Sequence, residues 1–229
     1  MSWLPQVAKG SNVSTASTTR HLRKPVAQSA FDQKTLSTIR VTAKRWTNLR
    51  WAKYATPKTL FFASRSGRLT PSSGTVNCLY LSPTERTSFL ELYGDKIHLA
   101  HEAGDDPIIE ANDFAERVFI DVDMPELNLV NITTGEGIES IDLDLGTLYA
   151  PDPDYPREFA ERVVRHPSNV DGFLYESRHT KEICAAVWNV HRTDLAGSPW
   201  GNQRKLGASV TQLIGDLADV FGTRIRVAS

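Results

Sequence analysis

The chain has 229 residues, of which 40% are hydrophobic and 23% are charged, enough for one large domain or two small ones with an ordinary core. Fourteen glycines and twelve prolines without a repeat exclude a collagen-like fibre, and the apolar content excludes a wholly disordered chain. The longest apolar runs, such as Ala185–Trp188, fall far short of the roughly 18 residues that a membrane span needs. The two cysteines, Cys78 and Cys184, cannot form a disulfide framework, which favours reduced core residues and a cytoplasmic protein.

The net charge of −1 conceals a strong asymmetry along the chain. Residues 1–60 carry eleven Lys and Arg side chains against one acid, Asp32, whereas residues 81–161 carry twenty acids against four basic residues. Such a separation occurs in nucleic-acid-binding arms and in surfaces for a charged partner, and also in single folds whose two halves face one another. Charge by itself leaves these alternatives open.

Residues 1–30 are rich in Ser and Thr, contain basic residues and have no acid, which predicts a flexible basic N-terminal arm. No apolar segment typical of a secretory signal occurs in it. The acid-free stretch also continues past a plausible cleavage point for a transit peptide. We therefore interpret these residues as an arm and not as a targeting segment.

The first predicted helix spans residues 32–51, where apolar residues recur every three or four positions without Gly or Pro. Short apolar runs then predict strands over 60–64 and 76–81, joined by a loop over 65–74 that is rich in Gly, Pro and Ser. The pattern thus changes from helical to extended near residue 60.

The clearest helix signal begins at Ser82. Ser82 is a favourable N-cap, Pro83 suits the first helical position, and Glu85 stands three residues after the cap, as in a capping box. Apolar residues at 89, 90 and 93 supply one face, and Gly94 predicts the end of the helix.

The remaining elements alternate between strands and helices. The predicted strands are 118–122, 127–132, 173–175 and 182–190, with a turn at 171–172, and the predicted helices are 152–165 and 206–221. This order predicts an α+β fold in which residues 31–229 form a single domain with a mixed sheet flanked by helices.

Common catalytic motifs are missing from the sequence: it contains no GxGxxG, P-loop, HExxH, GxSxG or CxxC pattern. The six histidines and the acidic clusters lack the spacing of a zinc or calcium site, so we expect no metal. Four single polar residues stand instead at strand ends or on the helix that follows: Arg68, Tyr80, Glu91 and Ser177. Glu91 lies beside the apolar face of its helix, where an acid requires a partner such as Arg68 or a ligand hydroxyl, or else remains a half-exposed helix acid.

Eleven residues separate Arg68 from Tyr80, ten separate Tyr80 from Glu91, and the string Asp171-Gly-Phe-Leu-Tyr-Glu-Ser-Arg178 follows downstream. This order and spacing resemble the RES domain family, which is named for its Arg, Glu and Ser. Its members are toxins of bacterial RES–Xre toxin–antitoxin pairs. The resemblance covers residues 49–194 and leaves the arm and the last helix outside.

The resemblance implies a fold similar to that of ADP-ribosyltransferase toxins, with NAD+ bound in a cleft between sheet edges. It also implies NAD+ as the substrate, with cleavage of the nicotinamide–ribose bond by hydrolysis or phosphorolysis and without a metal. A mono-ADP-ribosyltransferase that modifies a protein is the alternative activity. The implied partner is an Xre-like antitoxin that covers the cleft, with DNA contacted only through the antitoxin complex and contacts between toxin copies also allowed.

The resemblance assigns roles to individual residues. Glu91 would stabilise an oxocarbenium-like transition state, which a carboxylate does well. Arg68 would neutralise the pyrophosphate, and Ser177 would hydrogen-bond the ribose or the amide. Tyr80 would stack on or orient the nicotinamide.

The family also has an earlier arginine beside an aromatic residue. Here that place is taken by Lys53 beside Tyr54 or by Arg50, and the sequence leaves the choice open. A lysine would keep the charge and lose the bidentate fork for phosphate. The family's Arg-Phe-Asp segment is also Arg-Leu-Thr in this chain.

A protein of another class, one that binds nucleic acid through the basic arm, is the remaining alternative. The arm lacks interleaved aromatic residues before Trp46, and no recognition helix or RNA-binding motif is present in the sequence. The enzyme hypothesis is therefore favoured.

Overall fold

The computed structural model describes residues 27–56, 67–148, 154–190, 200–207, 212, 213, 215 and 226–228. The strands within these ranges are β1 (Thr38–Val41), β2 (Lys44–Trp51), β3 (Cys78–Leu81), β4 (Ile108–Glu110), β5 (Arg117–Met124), β6 (Leu127–Asn131), β7 (Gly172–Glu176), β8 (Ile183–Trp188), β9 (Trp200–Lys205) and β10 (Arg226–Ala228). The α-helices are α1 (Gln28–Phe31), α2 (Glu85–Glu102), α3 (Ala111–Glu116), α4 (Gly135–Ser140), α5 (Leu145–Leu148) and α6 (Asp154–Val164), with a 3₁₀ turn at Ala52–Tyr54.

The larger sheet has five strands in the order β1-β6-β7-β8-β3, of which β6 and β7 run parallel and the other neighbours run antiparallel. An antiparallel three-stranded sheet has the order β2-β5-β9, with a bulge between Ile120 and Val122, and β4 pairs with β10 in parallel. An antiparallel bridge between Thr47 and Ser82 connects β2 to the end of β3. The described chain is thus mixed α+β, as the sequence predicts.

Alternation along the central strands divides the core into layers. On β7, Phe173 and Tyr175 join a cluster with the apolar face of α6, whereas Leu174 points into a different cluster that contains Trp46 and Ile120. That second cluster draws residues from both main sheets and therefore forms the layer between them.

A third cluster surrounds α2. Phe89, Leu90 and Ile97 of this helix are at most 1% exposed and pack with Phe119 of β5. The helix is thereby fixed against the smaller sheet, and the residues beside its buried face are held at the margin of the core.

The helix predicted over residues 32–51 is wrong. The short α1 ends at Phe31, before this stretch, and the stretch itself contains β1 and β2; β2 pairs with β5 in a register that runs from Lys44 opposite Met124 to Trp51 opposite Arg117. The apolar residues of this stretch recur at helical spacing by coincidence. They do not share one buried face, since Ile39 is 40% exposed. Pairing with a strand about 75 residues away overrides the local pattern.

The predicted start and end of α2 are also wrong. Thr84 is the N-cap, and its hydroxyl accepts a hydrogen bond from the Thr87 N–H at 3.2 Å. Ser82 instead exchanges backbone hydrogen bonds with Thr47, at 2.8 and 2.9 Å. The helix continues through Gly94 to Glu102.

The strands predicted near residues 76–81, 118–122, 127–132, 173–175 and 182–190, and the helix predicted over 152–165, are confirmed with small changes of boundary. The strand predicted over 60–64 lies outside the described residues, as do most of the arm over 1–30 and most of the helix over 206–221. Within the described ranges, no helix combines the length and the apolar character needed to cross a membrane.

Candidate active site around Glu91

The carboxylate of Glu91 is held by two hydroxyl groups from a distant part of the chain. Tyr175 donates a hydrogen bond to its Oε2 at 2.8 Å, and Ser177 donates one to its Oε1 at 2.6 Å. Glu91 is half-buried, whereas Ser177 is 0% and Tyr175 is 7% exposed. Both carboxylate oxygens are thus fixed, as an acid at the margin of the core requires.

The two hydroxyl donors come from one strand and the turn after it. Tyr175 is on β7, and Ser177 directly follows the strand, so that their spacing of two residues directs both to the same side. The Ser177 Oγ also accepts hydrogen bonds from the backbone N–H groups of His179 and Thr180, at 3.3 and 3.4 Å. These bonds occupy its lone pairs and leave its proton for Glu91.

Tyr175 is protonated over the whole physiological range. Burial raises the pKa of the Tyr175 phenol well above its ordinary value, and the negative charge of Glu91 raises it further. Burial and Glu91 also raise the pKa of the Cys184 thiol to about 12. Glu91 is therefore surrounded on this side by neutral groups, and Tyr175 remains a donor.

Tyr80 supports the loop that carries Arg68. Its hydroxyl accepts a hydrogen bond from the Leu69 N–H at 2.8 Å and lies 3.2 Å from the Thr70 hydroxyl. A Cβ added at Gly67 would approach the Tyr80 hydroxyl to 2.2 Å, so the loop passes directly over the ring. Burial raises the pKa of Tyr80 well above its ordinary value. In this structure, the Tyr80 hydroxyl is engaged by the protein itself.

Arg68 is half-buried in this supported loop. Burial lowers the pKa of its guanidinium, the positive charge of Arg178 lowers it further, and Asp95 opposes the shift. Arg68 therefore shares its surroundings with Arg178 and Asp95, which lies one turn after Glu91 on α2.

Arg50 and Lys53, the two candidates for the first basic position, differ in their surroundings. The Arg50 Nε donates to the Asn48 side chain at 2.6 Å, and Asn48 in turn donates to the Tyr80 carbonyl at 2.6 Å. Another Arg50 nitrogen donates to the Tyr54 carbonyl at 3.1 Å, and burial lowers the pKa of Arg50 to about 10. Arg50 is thus connected to the strand of Tyr80.

Lys53 is exposed. Its ammonium group lies 5.9 Å from the centre of the Trp51 ring and 5.1 Å from that of Tyr54. Of the two candidates, Arg50 is connected to Tyr80 of the predicted site by hydrogen bonds through Asn48. Lys53 instead lies near the rings of Trp51 and Tyr54.

The structure therefore brings Glu91 and Ser177 into direct contact and places Arg68 in the loop that the Tyr80 hydroxyl holds through the Leu69 N–H. Sequence reasoning did not single out Tyr175, although its spacing of two residues from Ser177 in a strand is a usable signal. It also missed Asp95, which is four residues after Glu91 and hence on the same helix face. Among the described residues, no group of three His, Cys, Asp or Glu side chains is arranged to hold a metal ion.

Known proteins share this architecture. The chain is similar in fold to a chain of the crystal structure of the M. tuberculosis MbcT–MbcA toxin–antitoxin complex, with a TM-score of 0.57 and 15% identity, over 81% of this chain and 92% of that one. A search of curated proteins found no match. The sequence profile described as RES domain matches residues 38–206, which is well over half of the chain. The chain therefore belongs to the RES domain family.

Proposed function

We propose that the chain is the toxin of a RES–Xre type toxin–antitoxin pair and that it depletes cytoplasmic NAD+ by cleaving the nicotinamide–ribose bond. Membership of the RES domain family supports this proposal, as does the fold shared with a chain from a toxin–antitoxin complex. The observation that carries the chemistry is the Glu91 carboxylate, whose two oxygens are held by Tyr175 and Ser177.

The reaction breaks the bond between the anomeric carbon of the ribose and the ring nitrogen of nicotinamide. The bonding electron pair leaves with nicotinamide and neutralises its positive charge, so positive charge develops on the ribose. A carboxylate fixed beside the anomeric carbon stabilises that charge. Water or phosphate then bonds to the anomeric carbon, and water loses its proton to solvent.

The roles of the surrounding residues follow from their contacts. Tyr175 and Ser177 hold Glu91 in a fixed orientation, so that little reorganisation is needed as positive charge develops. Tyr80 holds the Gly67–Thr70 loop, which presents Arg68 for the pyrophosphate. Arg50 supplies further positive charge from β2 and is fixed there by Asn48.

Nicotinamide release from NAD+ by the purified chain, with and without inorganic phosphate, tests this proposal. The variants are Glu91→Gln, which keeps the size of the side chain and removes its charge, and Glu102→Gln as the matched control. Glu102 is exposed at the far end of the same helix, where it pairs with His98. Thermal unfolding verifies that each variant is folded.

We expect release by the wild type and by Glu102→Gln, and a loss of roughly 10²- to 10³-fold in Glu91→Gln, the scale for removing one electrostatic contact to a transition state. Dependence on phosphate would distinguish phosphorolysis from hydrolysis. The absence of release by the folded wild type under both conditions would contradict the proposed function and favour transfer of ADP-ribose to a protein acceptor.

A toxin that consumes NAD+ requires restraint, and we propose an Xre-like antitoxin that covers the cleft around Arg68 and Glu91. NAD+ binding by the inhibited complex is the test. Complete loss of binding is expected, and unchanged binding would exclude inhibition by occlusion.

A further inference from the structure

Asp95 stands one helical turn beyond Glu91, on the same face of α2. Its carboxylate forms an ion pair with Arg178, and the His179 Nε2 lies 3.4 Å from the same Oδ1. The carboxylates of Glu91 and Asp95 thus lie one helical turn apart on α2, and residues of the turn that follows β7 contact both of them.

Consecutive residues of that turn contact the two carboxylates. Ser177 donates to Glu91, and the next residue, Arg178, pairs with Asp95. The turn lies close against the helix because residue 94 is glycine, and a Cβ there would come within 2.6 Å of the His179 ring. The position of Arg178 relative to Glu91 is therefore set by the same contacts that fix Glu91.

The Arg178 side chain is 32% exposed, so its guanidinium is partly desolvated and still reachable by a ligand. A guanidinium has five N–H donors, and an ion pair with one carboxylate leaves several of them for a second anion. Arg68 stands in the loop held by the Tyr80 hydroxyl, and Tyr80 packs against the same core cluster as Tyr175, the partner of Glu91. In agreement with this placement, the charge of Arg178 contributes to the lowered pKa of Arg68, after burial. Together, Arg68, Arg178 and Asp95 carry a net charge of +1.

His179 does not neutralise Asp95 at neutral pH. Burial lowers the pKa of its imidazole, and the neighbouring positive charge of Arg178 lowers it further. The Asp95 carboxylate is then left to orient Arg178, and the His179 ring fills the space beside Gly94.

We propose that Arg178 and Arg68 together bind a phosphate oxyanion beside Glu91, with Asp95 as the positioning residue for Arg178. The proposal rests on the proposed function and extends it by naming Arg178 as a further arginine for the phosphate. In NAD+, the ribose ring and its 5′ carbon separate the reacting carbon from the diphosphate. That separation is comparable with one helical turn, about 5.4 Å, which separates Glu91 from Asp95, the partner of Arg178. Paired guanidinium forks match phosphate oxygens in geometry as well as in charge.

The test measures the binding of ADP-ribose by calorimetry, because ADP-ribose contains the diphosphate and cannot release nicotinamide. Nicotinamide riboside, which has no phosphate, is the comparison ligand. The variants are Arg178→Gln and Arg178→Lys, and the matched control is Arg45→Gln. Arg45 also belongs to a partly exposed Arg–Asp pair, with Asp123 on the smaller sheet at 2.8 and 3.0 Å.

We expect Arg178→Gln to raise the Kd of ADP-ribose about 10- to 100-fold, the value of a charge-assisted hydrogen bond. Arg178→Lys should lie between it and the wild type, because lysine keeps the charge and loses the fork. Binding of nicotinamide riboside should not change, and Arg45→Gln should bind both ligands like the wild type.

A further measurement distinguishes two sources of the oxyanion. If Arg178→Gln raises only the concentration of inorganic phosphate needed for half-maximal nicotinamide release, the bound oxyanion is free phosphate and not the diphosphate of the substrate. If the variant changes neither this concentration nor the Kd of ADP-ribose, the oxyanion site is refuted. A wild type that binds ADP-ribose through Arg178 and releases no nicotinamide would contradict the proposed function alone.

Discussion

Tyr175 and Glu91, which are 84 residues apart in the chain, are joined by a hydrogen bond of 2.8 Å that links strand β7 to helix α2. The phenol is buried at 7% exposure, and burial and then Glu91 raise its pKa, so a neutral phenol donates to the carboxylate. Hydrogen bonds of this kind are stronger than those between neutral groups. The orientation of Glu91 therefore depends on a residue of the larger sheet.

We expect Tyr175→Phe to lower kcat for nicotinamide release about 10- to 100-fold and to change KM little. A hydrogen bond to a charged group contributes roughly 1.5–3 kcal/mol, and this one orients Glu91 without being assigned a contact to the substrate. Steady-state kinetics over a range of NAD+ concentrations measures both constants.

Tyr155→Phe is the control for this experiment, because Tyr155 packs on Phe159 within α6, whereas Glu91 belongs to α2. It should leave both constants unchanged. A Tyr175→Phe protein with wild-type kcat would show that Ser177 alone suffices to hold Glu91.

We expect Gly67→Ala to displace the loop of Arg68. The added Cβ would meet the Tyr80 hydroxyl at 2.2 Å, and this hydroxyl cannot move freely because it bonds the Leu69 N–H. Overpacking of this kind costs about 1–3 kcal/mol in the free energy of unfolding. The KM for NAD+ should rise with it, and urea unfolding together with kinetics measures both effects.

Gly135→Ala is the matched control, because a Cβ at Gly135 meets no atom within 4 Å. Its stability should equal or exceed that of the wild type. A Gly67→Ala protein with wild-type stability and KM would mean that the loop adjusts without moving Arg68.

We expect the effect of Gly94→Ala to change sign with the residue at position 179. Alanine is favoured over glycine inside a helix by about 1 kcal/mol, but here its Cβ would lie 2.6 Å from the His179 ring. In the wild type the clash should dominate and destabilise the protein. In a His179→Ala background, the same substitution should stabilise it.

Urea unfolding of the two single variants and the double variant gives the coupling energy between positions 94 and 179. Additive effects would show that the helix and the turn do not press on one another.

The pKa of His179 predicts a loss of stability in acid. Its folded-state pKa is lowered, first by burial and then by Arg178 and His98, with Asp95 opposing. The unfolded chain therefore binds more protons than the folded protein below the unfolded pKa of about 6.5. The stability contributed by the neutral ring is complete above that pH and decreases as the pH falls towards the folded pKa.

The unfolding free energies of the wild type and of His179→Gln, each measured at pH 7.5 and at pH 5, test this prediction. The wild type should lose more stability over this interval than the variant. His101→Gln, which removes an exposed histidine at the end of α2, should behave like the wild type. Equal losses in all three proteins would assign the acid sensitivity to other groups.

Several elements could be predicted because their signals are local. Strands β7 and β8 alternate between two apolar layers, and α6 has an apolar face at helical spacing, so each segment contains its own pattern. Glu91, beside the buried Phe89 and Leu90, was recognisable as an acid that needs a partner.

Other features depend on contacts that no local pattern contains. Strand β2 resembles a helix in its spacing and becomes a strand because β5 offers it eight paired positions. Ser82 is a favourable N-cap in sequence, but its backbone pairs with Thr47, and the cap moves to Thr84. Gly94 resembles a helix end and instead gives room for the His179 ring.

The sequence by itself determined the α+β class and five of the ten described strands, and it singled out Glu91 as an acid that needs a partner, because burial periodicity and composition are properties of single segments. Only the tertiary structure decided that Tyr175 and Ser177 donate hydrogen bonds to Glu91 and that Arg178 forms an ion pair with Asp95. The physical reason is distance along the chain. Hydrogen bonds and ion pairs between segments more than 80 residues apart form only after the sheets and α2 have packed, and no segment contains both partners.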